Sequence, residues 1–233
     1  MQSPSYALRR LGAEAIGTFF LVLIGPGAAV VNAFTDGAVS HVGVALAFTF
    51  VVTAMIFALG HLSGAHLNPA VTIGFWSVGR ISRRDVIPHI VAQLGGAVAA
   101  AMALRLMFGV AIQAAATVPL IGVVPALALE WLLAFVLMLV IMAVATDDRI
   151  PAGFAPLAIG MTVGFCALVG GPITGGSMNP ARSLGPAMAA NIWSSHWIYW
   201  LAPLTAMPVA ARVYDALRDT TPAGASEAGM EAS

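Results

Sequence analysis

Two Asn-Pro-Ala triplets, Asn68-Pro69-Ala70 and Asn179-Pro180-Ala181, are the residues whose type and spacing point most directly to chemistry. An asparagine amide carries two donor hydrogens and an acceptor oxygen. The chemistry it offers is hydrogen bonding and orientation of a small molecule, not nucleophilic attack or acid–base work. With Asn as N-cap, Pro falls at the first helical position, where its missing N–H costs nothing. A helix beginning there adds roughly half a positive charge at the same point. Arg182 follows the second triplet directly, and Glu14 and Glu130 stand in apolar surroundings. No other constellation competes. The five histidines (His41, His61, His66, His89, His196) show no i,i+4 pair that would place two metal ligands on one helix face. The single Cys166 excludes an internal disulfide or a cysteine metal site and reads as a packing residue. No nucleophile–base pair stands out, so neither an enzyme nor a cofactor is expected.

The elements that must position these residues are apolar. Of 233 residues 60% are hydrophobic and 9% charged, against about 25% charged in a soluble domain. All ten basic residues are arginine, scattered along a chain of zero net charge, which excludes nucleic acid as an expected partner. A span of a hydrocarbon core of about 30 Å needs roughly 20 residues. Six stretches qualify: Leu8–Val31, His41–Gly60, Ile87–Phe108, Ala126–Ala145, Phe154–Gly170 and Trp197–Tyr214, the fifth only marginally. The first is longer than the 7–15 apolar residues of a signal peptide, despite Arg9 and Arg10 before it, and reads as a transmembrane helix. Residues 68–78 and 179–190 are apolar but only half a membrane long. They predict two re-entrant half-helices, each led in by a Gly-containing stretch.

Arginine placement supports this layout. With a cytoplasmic N-terminus, Arg9, Arg10, Arg80, Arg83, Arg84, Arg149, Arg212 and Arg218 all fall inside, as the positive-inside rule asks. Both termini are then cytoplasmic. Residues 219–233, rich in Ser, Ala, Gly and Glu, read as a disordered tail.

The two triplets lie 111 residues apart, near half the chain, and Glu14 and Glu130 correspond. Residues 1–115 form one repeat of three spans plus a half-helix, and 116–218 the other. Three spans are odd, so the second repeat is inverted about an axis in the membrane plane. The half-helices then enter from opposite faces and their N-termini meet near the midplane. Irregular backbone at that depth survives only where it is buried or lines a wet cavity. Gly64, Ala65 and His66, with Gly175 and Ser177, are therefore expected to line a pore with their backbone. At its centre a water would face both Asn donors oxygen-first, with hydrogens directed outward, so that a proton could not hop straight through. The dipole ends repel cations. Arg182 belongs at the pore mouth, because a buried charge there needs water or a partner. Glu14 and Glu130 are expected to brace the two loops. The capping role alone remains open for each Asn.

His61-Leu62-Ser63-Gly64-Ala65-His66-Leu67-Asn68-Pro69-Ala70-Val71-Thr72 and Gly176-Ser177-Met178-Asn179-Pro180-Ala181-Arg182-Ser183 closely resemble the paired signatures of the aquaporin (major intrinsic protein) family. The likeness covers roughly residues 8–215. It implies an all-α membrane protein of six transmembrane helices and two half-helices, a pore in each subunit, and a homotetramer. It further implies an aromatic/arginine selectivity filter at Phe48, Ala167, Gly176 and Arg182. Strict water channels of the family carry His where this chain has Ala167, and glycerol facilitators carry Asp where it has Ser183. The expected function is passive conduction of water with other small neutral solutes, across the plasma membrane and surrounded by lipid. The alternative is a channel mainly for glycerol, urea or metalloid hydroxides. A secondary transporter would need coupling residues at the midplane, where only Glu14, Glu130 and Arg182 are available.

Overall fold

The computed structural model describes residues 4–147 and 149–218. The tail expected at 219–233 lies outside the described residues. Eight α-helices follow in order: α1 (Pro4–Phe34), α2 (Ser40–Ser63), α3 (Pro69–Ser77), α4 (Arg83–Phe108), α5 (Val123–Thr146), α6 (Ala155–Thr174), α7 (Pro180–Ala190) and α8 (Ile198–Leu217). A 3₁₀ segment, Gly109–Ala115, follows α4, and a shorter one precedes α6. No strand occurs among the described residues.

Five of the helices, α1, α2, α4, α5 and α6, are long and apolar enough to cross a membrane. The sixth span is α8, whose 20 residues carry Arg212, Asp215 and two prolines and so dilute its hydropathy. The fifth span is longer than expected. Helix α6 continues through Pro172 to Thr174. Pro172 has no N–H for the carbonyl one turn earlier, Leu168 O, and His41 Nε2 of α2 lies 2.9 Å from that oxygen instead. A side chain 127 residues away thus replaces the missing helical donor.

The half-helices begin where the sequence places them. Asn68 and Asn179 are N-caps in extended backbone, and each is followed by Pro. Nine and eleven residues give roughly 14 and 16 Å of helix, which together equal one hydrocarbon thickness.

Packing is exchanged between the halves. Helix α1 lies against α2 and α4, as α5 lies against α6 and α8. But α3, from the first half, packs on α8, and α7, from the second, packs on α4. Small residues permit these approaches. A Cβ built on Gly96 would strike Ala15 O of α1. One on Gly185 would lie 2.5 Å from Ala97 O of α4. On α6, Gly160 and Gly164 make way for Thr53 and Thr49 of α2. Met138 and Met142 are fully buried, whereas Met102 and Met107 face outward. Cys166 is buried and points its thiol toward Leu133 O at 3.9 Å, a packing position.

Candidate functional site

The loops ahead of α3 and α7 share one unusual backbone. Gly64 and Gly175 terminate α2 and α6 with φ of 90° and 91°. Ala65 and Gly176 follow at 46° and 53°, and Leu67 and Met178 at 51° and 54°. Left-handed backbone costs a non-glycine residue roughly 1–2 kcal/mol. Three such residues here need compensation, and a buried carboxylate supplies it in each half.

Glu14 is fully buried in α1. Its Oε1 accepts from Ser63 Oγ (2.6 Å) and His66 N (2.9 Å). Its Oε2 accepts from Leu67 N and Gln93 Nε2, both at 2.8 Å. Glu130 of α5 does the same in the second half. It accepts from Thr174 Oγ1 (2.7 Å), from Ser177 N (2.9 and 3.0 Å) and from Met178 N (3.0 Å). The loop amides that no helix or sheet serves are thereby satisfied at a depth where water is scarce.

The two asparagines meet. Asn68 Nδ2 donates to Met178 O, and Asn179 Nδ2 donates to Leu67 O, both at 2.9 Å. Each Oδ1 accepts from the first turn of its own helix: Asn68 from Ala70 N, Asn179 from Ala181 N and Arg182 N. Capping and donation are therefore not alternatives. The oxygen caps, one amide hydrogen ties each half-helix to the opposite loop, and one hydrogen per Asn is left.

Both asparagines border a cavity of about 110 Å³. One wall is the two loops: Gly64, Ala65 and His66, then Gly176 and Ser177. The other wall is apolar, with Val52, Ile56, Leu137, Ile141, Ile159 and Val163. Gly175 and Ala167 do not border it. The Gly175 carbonyl instead accepts from Arg182 Nη2 at 3.5 Å.

The expected filter residues gather at one end. The Arg182 guanidinium carbon lies 5.3 Å from the centre of the Phe48 ring, within cation–π range. Arg182 Nη1 donates to Ala115 O at 2.9 Å. Gly176 abuts α6: a Cβ on it would lie 3.2 Å from Cys166 O and 3.1 Å from Gly171 N. That turn of α6 carries Ala167, which is buried.

Sequence reasoning missed several supports. Ala115, at the end of the 3₁₀ segment after α4, anchors Arg182 through its carbonyl. Thr117 Oγ1 donates to Ser183 Oγ (2.9 Å), which sits 2.6 Å from Ser177 Oγ. Gly25 makes room for Phe48, since a Cβ there would fall 2.5 Å from the ring. Gln93 joins the Glu14 network from α4. The repeated hydroxyls Ser63 and Thr174 were the one available signal, standing one residue before each Gly. The other contacts join distant segments and leave no local mark.

A family profile described as Major intrinsic protein matches residues 1–214. The chain is 43% identical to Aquaporin NIP6-1 of Arabidopsis thaliana over 212 residues, which cover 91% of this chain and 70% of that protein. It is 43% identical to Nodulin-26 of Glycine max over 214 residues, covering 91% and 79%. The X-ray structure of the aquaglyceroporin from Plasmodium falciparum superposes with a TM-score of 0.81 at 27% identity, covering 91% of this chain and 96% of that one. The chain therefore belongs to the major intrinsic protein family of membrane channels.

Proposed function

We propose that the chain conducts water passively through the cavity between the two loops, admits other small neutral solutes, and holds back protons and ions. The observation that carries this reading is the pair of reciprocal Asn contacts at 2.9 Å beside a cavity with one polar and one apolar wall. Each Asn keeps one amide hydrogen for a passing molecule. A water there accepts from both with its oxygen, so its hydrogens point outward along both halves of the path. A proton would have to reverse that polarity to pass. Two helix N-termini at the same point repel cations, and Arg182 adds a full positive charge at one end. The apolar wall offers no competing hydrogen bonds, so a solute moves along a single polar strip.

A second reading, conduction mainly of larger neutral solutes such as glycerol, urea or metalloid hydroxides, is favoured by Ala167 and Gly176. Two of the four filter positions carry almost no side chain, and one solved structure of similar fold is that of an aquaglyceroporin. The filter in this reading is Phe48, Ala167, Gly176 and Arg182.

The proposal extends to organisation. Residues 1–115 and 116–218 are the two repeats, four copies assemble with a path in each, and both termini face the cytoplasm of a plasma-membrane protein. The arginine distribution supports the orientation, and the exposed apolar side chains on the outward faces of α1, α2 and α6 (Phe20, Phe50 and Phe165 among them) suit lipid or a neighbouring copy.

Stopped-flow light scattering of proteoliposomes tests the function. Fast shrinkage in impermeant osmolyte without proton leakage is expected. Shrinkage no faster than in protein-free liposomes overturns it. Re-swelling in glycerol, urea or arsenite decides between the two readings.

A further inference from the structure

Helix α6 carries a break near its C-terminal end, and a residue of α2 is fitted to it. Pro172 leaves Leu168 O without the N–H that would serve it from the next turn. His41 Nε2 lies 2.9 Å from that oxygen. A carbonyl can only accept, so Nε2 carries the hydrogen and donates. The ring is seated as well as bonded. A Cβ built on Gly171 would fall 2.8 Å from His41 Cε1, so this glycine leaves the imidazole its place on α6.

The first half has no such break. The two triplets stand 111 residues apart, and at that offset Pro172 corresponds to His61. His61 has a backbone N–H, and α2 runs to Ser63 without a proline. The break therefore belongs to α6, on the side of the proposed filter.

Both partners stand next to filter positions. Leu168 directly follows Ala167. The same part of α6 presses on Gly176: a Cβ on Gly170 would lie 2.9 Å from Gly176 Cα, and one on Gly176 3.1 Å from Gly171 N. Ala167 and Gly176 thus move together with this part of α6. On the other side, His41 and Phe48 are seven residues apart on α2, close to two full turns, and so share one face of it. One bond ties the helix that carries Phe48 to the helix that carries Ala167. Elsewhere these two helices meet by packing. Thr49 and Thr53 sit on Gly164 and Gly160, and the Thr49 hydroxyl donates to Ala45 O of its own helix. Among the described residues the His41 contact is the one hydrogen bond between α2 and α6. Past Pro172, other segments hold the helix end: Leu120 N donates to Ile173 O at 2.8 Å, and Tyr199 Oη to Thr174 O at 2.6 Å.

We propose that His41 is a positioning residue for solute selection. The inference rests on the filter reading given above. His41 does not border the cavity; it acts through the backbone of α6. Prolines are points where helices bend, and a carbonyl without a donor inside a membrane-spanning helix is costly. With the His41 N–H in place, α6 is held to α2 and the gap between Phe48 and the Ala167–Gly176 wall keeps one width. With that donor removed, α6 bends away at Pro172 and the gap widens. Water, the smaller molecule, gains little. Glycerol and urea gain most.

The test is the ratio of solute to water permeability in proteoliposomes, with glycerol and urea as the solutes and the melting temperature recorded for each protein. His41→Phe keeps a ring and loses the donor. His41→Gln puts an amide N–H in place of the imidazole N–H. Pro172→Ala returns a backbone N–H to Leu168 O. The expected result is a severalfold rise in the ratio for His41→Phe with water permeability retained. His41→Gln, Pro172→Ala and the double variant His41→Phe/Pro172→Ala are expected to keep the ratio of the unmodified chain. An unmoved ratio in folded His41→Phe overturns the proposal. So does an equal rise in His41→Gln, or a rise that persists in the double variant, because the hydrogen bond is then not the cause. A fall in melting temperature and in both permeabilities together, with the ratio constant, assigns His41 to folding alone and overturns it too. Gly171→Ala crowds the ring from α6 and reaches the same bond without altering His41; a rise in the ratio is expected, and an unmoved one counts against the proposal even where His41→Phe yields no folded protein. Water permeability of the unmodified chain at protein-free levels overturns the channel reading itself, whereas a working channel whose ratio ignores these changes overturns only the role of His41.

Discussion

Two carboxylates carry the pore loops, and their substitution separates structure from conduction. Glu130 receives hydrogen bonds from Thr174 at the end of α6 and from the loop residues Ser177 and Met178. Glu130→Ala strands those donors in the interior, each at about 1–3 kcal/mol. Thermal unfolding in detergent, followed by tryptophan fluorescence, is expected to show a loss of at least about 2 kcal/mol. An unchanged melting temperature would mean that water enters the loop freely. Glu14→Ala should behave alike and also release Gln93. At the proposed filter, Ala167→His adds a donor and bulk on the turn of α6 against Gly176. It is expected to lower glycerol and urea permeability about tenfold or more while water permeability stays within about twofold, a difference of about 1.4 kcal/mol in barrier. If large solutes pass as before, the filter lies elsewhere, and Val163, which borders the cavity, becomes the position to alter.

At the scale of elements, the fold depends on helices that approach through missing side chains. Gly96 touches the α1 backbone at Ala15, so no rotamer change can relieve a larger residue there. Gly96→Val is expected to cost about 1–3 kcal/mol as overpacking, read as a lower melting temperature and lower yield of folded protein. Gly95, next to it, has open space where its Cβ would be. Gly95→Ala is therefore expected to leave stability within about 0.5 kcal/mol. A similar loss for both would contradict the packing described for α1 and α4. The junction after α5 is a different kind of contact. Asp147 is held well below the usual carboxylate range by its hydrogen bonds from the Arg149 guanidinium. A depressed carboxylate contributes stability above its unfolded-state value and loses it only as pH falls through the folded one. Asp147 thus stays ionised through mild acid, and any change in permeability between pH 8 and about 5 has another origin.

For the whole molecule, the decisive feature is that the halves exchange their half-helices. Helix α3 packs on α8 and α7 on α4, so neither half encloses the cavity alone. Residues 1–115 expressed without the rest are expected to give no water permeability, measured in the same proteoliposome assay. Co-expression with 116–218 should restore part of it. Activity from one half alone would show that the path lies elsewhere. In an assembly of four with a path per subunit, mixing intact chains with chains blocked by Gly176→Trp is expected to reduce permeability in proportion to the blocked fraction. A steeper, cooperative fall would place the path between subunits.

The sequence by itself determined the spans, the two half-helices, their caps and the pairing of Glu14 with Glu130. Those signals are local: an apolar run has a length, an Asn-Pro pair has a helix-starting geometry, and a repeat can be read by sliding the chain along itself. Phe48 and Arg182 are proposed as filter residues through resemblance, and the structure brings them within cation–π distance. The tertiary structure alone decided what depends on distant segments meeting. It showed that each Asn both caps its own helix and ties down the opposite loop. It assigned Arg182 to the Ala115 carbonyl, gave Phe48 its space at Gly25, and supplied Leu168 with a partner in His41. Hydrogen-bond partners across the fold obey geometry and saturation rather than spacing, so no pattern along the chain records them.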